Sequence, residues 1–193
     1  MATGIEVTEE PIAGLVDYAS IPIAFRVERI FDVQLISAGI GGVLLHERDV
    51  GQPYIKDYDA MEGNSPSSWP TRWDLSSWAM LAAHSGRTRT GGAEVALDTV
   101  GVDMLEGRKD LAVLWDIRVH PEYRRKGVGR ALFAAVEALA RSRGCREFKV
   151  ETQSTNVGAC RFYARQGCSL AALNRFAYQD CPEETQLIWR KDL

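Results

Sequence analysis

Little in this sequence supports metal, redox or membrane chemistry. Its 193 residues include three histidines and four cysteines, and Cys145, Cys160, Cys168 and Cys181 form no CxxC pair. That spacing does not suit a zinc site, and a reducing compartment does not maintain a disulfide framework. The cysteines therefore read as small buried hydrophobes, and no metal is expected. No apolar run approaches the ~20 residues that span a bilayer. The opening Met-Ala-Thr-Gly-Ile-Glu-Val-Thr-Glu-Glu has neither the basic nor the apolar segment of a signal peptide. A cytoplasmic protein with no membrane partner is expected. Internal repeats and low-complexity tracts are also missing.

What is present is an ordinary globular composition, 46% hydrophobic and 25% charged, in a length that suits one domain spanning 1–193. The net charge of −3 is unevenly spread, since residues 1–63 hold eleven acids against four bases. So acidic an N-terminal third argues against nucleic acid as a partner. It suits a cationic small molecule, although solubility alone also explains such a surface.

The most informative stretch is Asp116-Ile-Arg-Val-His-Pro-Glu-Tyr-Arg-Arg-Lys-Gly-Val-Gly-Arg130. An apolar run, 111–119, reads as a strand. A basic glycine loop follows, and then a helix with an apolar stripe at Val128, Leu132, Phe133, Val136, Leu139 and Ala140. Unpaired N–H groups and the positive end of the dipole make such a helix start an anion site. Gly127 and Gly129 let backbone approach a ligand closely. Residues 118–130 carry five cations (Arg118, Arg124, Arg125, Lys126, Arg130) against Glu122, so the expected ligand bears several phosphates. The same composition also suits a solvated basic turn. The spacing is neither GxGxxG nor GxxxxGK(S/T), which removes the dinucleotide and P-loop readings.

Along the chain, residues 1–20 read as a polar arm. Strands are expected near 21–34, 42–49, 75–83, 93–99, 111–119, 146–152, 168–178 and 185–189. Gly144 stops the helix after the glycine loop, and a second helix over 157–166 is capped by Asn156 and stopped at Gly167. The middle strands form an antiparallel meander, and the strand–helix–strand unit around 111–152 makes one parallel, right-handed pair. Residues 50–75 are rich in Gly and Pro, so no helix or long strand is expected there. Their Tyr54, Tyr58, Trp69 and Trp73, interleaved with Asp57, Asp59, Glu62 and Asp74, suit a cage for an organic cation or an irregular loop pinned by its rings.

Two motifs now resemble a known family. Arg124-Arg-Lys-Gly-Val-Gly129 is similar to the acetyl-CoA pyrophosphate loop of the GNAT N-acetyltransferases. Twenty-seven residues past Gly129, Asn156-Val-Gly-Ala-Cys-Arg-Phe-Tyr-Ala-Arg-Gln-Gly167 is similar to that family's N-x-x-A-x-x-F/L-Y helix, with Cys168 where Phe is usual. Phe31-Asp-Val33, Tyr54-Ile-Lys-Asp-Tyr58 and Glu151-Thr-Gln-Ser-Thr-Asn-Val157 more narrowly resemble streptothricin acetyltransferases. The resemblance implies an α/β fold with a mixed, mostly antiparallel sheet, a parallel pair splayed at the acetyl-CoA site, and flanking helices. It also implies an elaborated substrate side over 1–75, since the two helices usual after the first strand are replaced by strands and a proline-rich loop.

The implied activity is transfer of acetyl from acetyl-CoA, a co-substrate, to a primary amine of a cationic small molecule. Streptothricin, through its β-lysine amine, is the specific candidate. A polyamine, another aminoglycoside-like antibiotic or a peptide amine are alternatives, as is a CoA-binding module without turnover. The resemblance further implies Tyr163 as the proton donor to the CoA sulfur and Asp116 as the general base, with Glu151 second in line. Cofactor contacts are expected from Ile117, Arg118, Val119, Arg124, Arg125, Lys126, Gly127, Val128, Gly129, Arg130, Asn156, Ala159 and Phe162. Acceptor contacts are expected from Tyr54, Asp57, Tyr58 and Asp98. A homodimer is the assembly the family implies.

Overall fold

Alternating polar and apolar side chains, bounded by Gly, Pro and Asx turns, divide this chain mainly into strands. The computed structural model describes residues 4–193. In chain order these form β1 (Ile5–Glu10), α1 (Leu15–Ala19), β2 (Phe25–Ile36), β3 (Gly42–Lys56), α2 (Trp69–Arg72), β4 (Ala79–Ser85) and β5 (Thr88–Ala96). They continue with β6 (Leu111–Val119), α3 (Val128–Ser142), β7 (Glu147–Gln153), α4 (Val157–Arg165), β8 (Ser169–Asn174) and β9 (Gln186–Asp192). Contacts group the chain into two units. One holds the residues up to Ala24 with Asp57–Val150 and Lys191–Leu193; the other holds Phe25–Lys56 and Glu151–Arg190.

In the first unit the strand order is β1-β4-β5-β6-β7. The β1–β4, β4–β5 and β5–β6 ladders are antiparallel, as the meander predicts. β6 and β7 are parallel, joined through α3, as the crossover rule requires. Their ladder runs only from Leu111↔Glu147 to Leu114↔Val150, so the last five residues of β6 extend past it. The expected stripe of α3 is buried in full. Two glycines show how tightly the sheet is covered. A Cβ on Gly91 would stand 3.0 Å from Val128 and Leu132 of α3, and one on Gly92 would stand 2.7 Å from the Tyr18 ring of α1. One face of β5 is thus pressed by α3 and the other by the N-terminal segment.

The polar arm expected over residues 1–20 is therefore corrected, apart from residues 1–3, which lie outside the described residues. Ile5, Val7 and Glu9 alternate with Glu6, Thr8 and Glu10 in a strand on the sheet edge, and Tyr18 is fully buried. Of the two readings of the aromatics in 50–75, pinning to the core holds for Trp69 and Trp73. Trp69, Trp73 and Trp78 pack with Tyr18 and Trp115 at ring separations of 4.8 to 6.2 Å, and this cluster fills the core on the Tyr18 side. These rings pack on one another, and the Arg72 guanidinium already lies 4.3 Å from the Trp73 ring centre. Strand boundaries move for local reasons. Asp74 accepts the Ser76 N–H at 2.9 Å and caps a 3-10 turn at Leu75–Ser77, which delays β4 to Ala79. Asn174 accepts the Phe176 N–H at 2.9 Å and ends β8 well before Tyr178.

In the second unit β2 and β3 form a long antiparallel ribbon from Phe25↔Lys56 to Ile36↔Gly42, with a bulge between Val27 and Arg29. β3 continues through the stretch read as loop because β2 supplies partners again from Tyr54 to Lys56, and Pro53 falls in the register shift between Asp49 and Tyr54, where the ladder does not need its missing N–H. The end of β7 lies beside β9, which pairs with β8. Phe31 N–H donates to the Ser154 carbonyl at 2.9 Å, so the ribbon is tied to the turn after β7. Trp189 Nε1–H donates to Thr152 Oγ1 at 2.9 Å.

Gly92→Ala is expected to destabilise the first unit by about 1–3 kcal/mol, the usual range for overpacking. The new methyl would meet the Tyr18 ring and the Leu81 carbonyl at 3.0 Å, neither of which yields easily. Urea titration followed by tryptophan fluorescence measures this; an unchanged midpoint would mean that α1 shifts freely.

Candidate active site

The glycine loop follows β6. Gly127, at φ 92°, is the N-cap of α3 and accepts the Ala131 N–H at 3.0 Å through its carbonyl. No side chain caps this helix and no acid lies in its first turn, so the positive helix end is left for a ligand. Arg125 (φ 65°), Lys126 and Arg130 are exposed around it. Val128 is buried in the core, so its backbone N–H is what it can offer a ligand. Arg124 behaves differently. Its Nε donates to the Val119 carbonyl at 3.1 Å and its Nη2 to the Pro22 and Ala24 carbonyls at 3.3 and 3.0 Å. It braces the loop from within, and burial lowers its proton affinity. The loop, helix end and surplus of exposed cations suit a pyrophosphate.

On the sheet face opposite α3 lies a buried ionic cluster. Arg118 is 2% exposed. Its Nε meets Asp116 Oδ2 at 2.7 Å, its Nη1 and Nη2 meet the two Asp59 oxygens at 2.6 and 2.8 Å, and Nη1 also donates to the Ile21 carbonyl at 3.3 Å. The guanidinium lies 5.2 Å from the Tyr18 ring centre. Arg118, expected at the cofactor, thus has its side chain committed inside the protein, and its backbone is paired with Gly92 in the β5–β6 ladder. The Asp116 side chain is 6% exposed. Burial raises its proton affinity most, and Arg118 opposes this. Glu94 stands opposite Asp116 in the β5–β6 ladder and is 0% exposed. Burial first, then the Asp116 charge, push its carboxyl up to about 9, against the pull of Arg118. Sequence reasoning missed Glu94. The available signal was a lone acid inside the apolar run Ala93-Glu-Val-Ala-Leu97.

Asp98 does not join this cluster. It has φ 34°, follows the end of β5 that pairs with Val113, and binds Lys109 at 3.1 Å on the surface. Asp57 accepts the Asp59 N–H at 3.1 Å and so supports the turn that delivers Asp59 to Arg118. Tyr58 is half-buried beside it.

In the second unit, Glu151 is tied by neutral donors: Tyr178 Oη–H at 2.6 Å, Gln186 Nε2–H at 2.7 Å and Gln153 Nε2–H at 3.4 Å. Asn156 caps α4 by accepting the Ala159 N–H at 3.0 Å, as its position predicts. Tyr163 is 4% exposed on α4, with Phe162 in edge contact at 5.3 Å. A cleft of about 260 Å³ opens at the start of α4, lined by Arg26, Arg29, Glu47, Asn156 and Arg161 among others. Tyr54 is 40% exposed on β3. Among the described residues Cys181, Glu183 and Glu184 gather as ligand types do, but the Lys56 ammonium already binds Glu184 at 2.6 Å.

Glu94 has a consequence for stability. Its proton is retained in the folded protein and lost in the unfolded chain between pH 4.5 and about 9. The folded state therefore loses ground as pH rises through that window, by about 1.4 kcal/mol per unit from this one group. Glu94→Gln is expected to remove that slope. Chemical denaturation of both proteins at pH 5, 7 and 8.5 reads the difference, and parallel curves would refute a protonated Glu94.

Comparison with known proteins agrees with this geometry. The acetyltransferase (GNAT) family matches residues 53–168. A streptothricin acetyltransferase from Escherichia coli is 30% identical over 189 residues, covering 96% of this chain and 93% of that protein. Streptothricin acetyltransferase A of Bacillus subtilis (strain 168) is 36% identical over 81 residues, 40% of this chain and 46% of that one. Among solved structures, nourseothricin acetyltransferase superposes with a TM-score of 0.75 at 22% identity, covering 98% of this chain and 99% of that chain. A Bacillus anthracis protein crystallised with acetyl coenzyme A gives the same TM-score at 20% identity, covering 98% and 100%. The mixed sheet with one parallel pair, the uncapped helix behind a basic glycine loop, and these matches together establish that this chain belongs to the GNAT family and is an acetyl-CoA-dependent N-acetyltransferase.

Proposed function

We propose that this enzyme acetylates a primary amine of a cationic small molecule, with streptothricin, through its β-lysine amine, as the acceptor, and so confers resistance to it. The observation that carries this reading is the reach of the E. coli similarity. The family match begins at residue 53, whereas the streptothricin acetyltransferase aligns over 96% of the chain and so includes the N-terminal residues outside that match. Those residues hold most of the acidic excess, which favours a cationic acceptor over a neutral one. Residues 1–193 then work as one acetyltransferase domain, in the cytoplasm, with 1–75 serving the acceptor. Tyr54, Asp57 and Tyr58 are the acceptor-side residues in this reading, and a homodimer is the proposed assembly.

The chemistry sets what the side chains must do. A lysine-type amine has a pKa of about 10.4, so baring its lone pair at pH 7 costs about 4.6 kcal/mol. Asp116 takes that proton, directly or through water, and Glu151 is the alternative acceptor. The freed amine attacks the thioester carbonyl, and the tetrahedral intermediate collapses with departure of the CoA thiolate. Tyr163 supplies the proton that thiolate needs, and the second proton that the nitrogen sheds on becoming an amide restores the phenol through solvent. Exposed Arg125, Lys126 and Arg130, with the backbone N–H groups of Gly127 to Gly129, hold the pyrophosphate. Ile117 and Val119 contribute backbone groups to the pantetheine arm, with Asn156, Ala159 and Phe162 beside it. Holding both substrates in one geometry supplies much of the remaining acceleration.

A thiol-release assay with acetyl-CoA and a panel of streptothricin, a polyamine, an aminoglycoside and a peptide amine tests this directly. Streptothricin is expected to give a kcat/KM at least tenfold above the other acceptors. Preference for another member would reassign the substrate, and acetyl-CoA binding with no turnover on any would make the chain a binding module. Tyr163→Phe is expected to lower kcat by about 10²–10⁴-fold, the range for a lost general acid, with acetyl-CoA affinity within a factor of a few. An unchanged kcat would remove Tyr163 from the proton transfer.

A further inference from the structure

Two carboxyl groups directly opposite each other on paired strands repel, and pairs of this kind are normally avoided. Glu94 and Asp116 are such a pair, and neither is bathed in water. The guanidinium that could neutralise both is taken up by Asp116, Asp59 and the Ile21 carbonyl. Both Glu94 oxygens lack a hydrogen-bond partner among the described residues. On its other side the ladder partner of Glu94 is Met80 of β4, which offers no charge. Tyr18 of α1 covers the cluster, and Asp59 reaches it only through Arg118. A buried, unpartnered carboxylate in that setting is far more costly than a neutral acid. The geometry therefore requires Glu94 to hold a proton. What is left is Asp116 and Asp59 against Arg118, one net negative charge and the complement of a single ammonium group.

We infer that Glu94 is a positioning residue for acetyl transfer: standing as a neutral acid opposite Asp116, it preserves the Asp116–Arg118 ion pair and leaves the cluster the single negative charge that draws a proton from the acceptor ammonium. This rests on Asp116 as the group that takes the amine proton. In that step an N–H bond of the ammonium breaks, the proton goes to an Asp116 carboxylate oxygen, and the electron pair stays on nitrogen for attack on the thioester. Ionisation of Glu94 adds a second buried negative charge beside Asp116. It then competes for Arg118 and pulls the guanidinium away from the ion pair. Because burial delays that ionisation to about 9, the effect is confined to alkaline pH.

The test is the pH dependence of kcat/KM for the acceptor in the wild type and in Glu94→Gln, which is permanently neutral and nearly isosteric. The wild-type value is expected to fall about tenfold per unit above about pH 9, the steepness of a single ionisation. In Glu94→Gln that fall is expected to move up by at least one pH unit. The same descending limb in both proteins would overturn the inference. Difference infrared spectroscopy on the wild type needs no variant. One protonated carboxyl group is expected at pH 7 that titrates away above pH 9, and its absence at pH 7 would also overturn the inference. A wild type that acetylates no cationic amine at any pH would instead remove the functional reading on which the positioning role stands, and the infrared result would show whether the buried acid is protonated regardless.

Discussion

One guanidinium organises the face of the first unit's sheet that lies opposite α3. Arg118 projects from β6 into the interior and satisfies Asp116 on its own strand, Asp59 in the segment after β3, and the Ile21 carbonyl after α1. A buried arginine is tolerable only when its donors are met. Its planar fork meets the two Asp59 oxygens as a bidentate pair, which a lysine could not reproduce. Removing any partner would leave a buried charge unmet, so three distant stretches of sequence are locked together by one side chain. The cost is that Arg118 and Asp116 are both committed to each other inside the fold.

That commitment separates the basic residues into two groups with different work. Arg118 and Arg124 are structural. One sits at the centre of an ion cluster, and the other is folded back on backbone carbonyls that hold the N-terminal segment against the loop. Arg125, Lys126 and Arg130 are exposed beside a helix end with no cap of its own. The local surplus of positive charge available to phosphates is therefore smaller than the residue count alone implies.

A similar division applies to acids. Glu94 imposes a cost on the folded state, because the unfolded chain ionises it in water while the interior does not. A residue that reduces stability and sits beside a candidate base is better explained by chemistry than by packing. Glu151 occupies a milder setting, since neutral donors satisfy it without neutralising it. The two acids thus differ in environment: one is buried without a hydrogen-bond partner, the other is held by neutral donors.

Local signals were enough for much of this molecule. Period-2 and period-3.6 patterning, Asn156 as a cap and the glycine at 127 marked the strand–loop–helix–strand core, because each depends on neighbours within a few residues. The basic glycine loop and the α4 motif were legible for the same reason. The N-terminal strand was not, since Ile5–Glu10 has little propensity beyond its alternation and becomes a strand through its ladder with β4. Nor could spacing show that Trp69 and Trp73 serve the core, that Arg118 and Arg124 turn inward, or that Glu94 faces Asp116. Those outcomes depend on which side of a strand a residue occupies and on what packs against that side. The sequence by itself determined the elements and the anion-binding end. Tertiary structure decided which charges remain available, because burial and pairing arise only when distant segments meet.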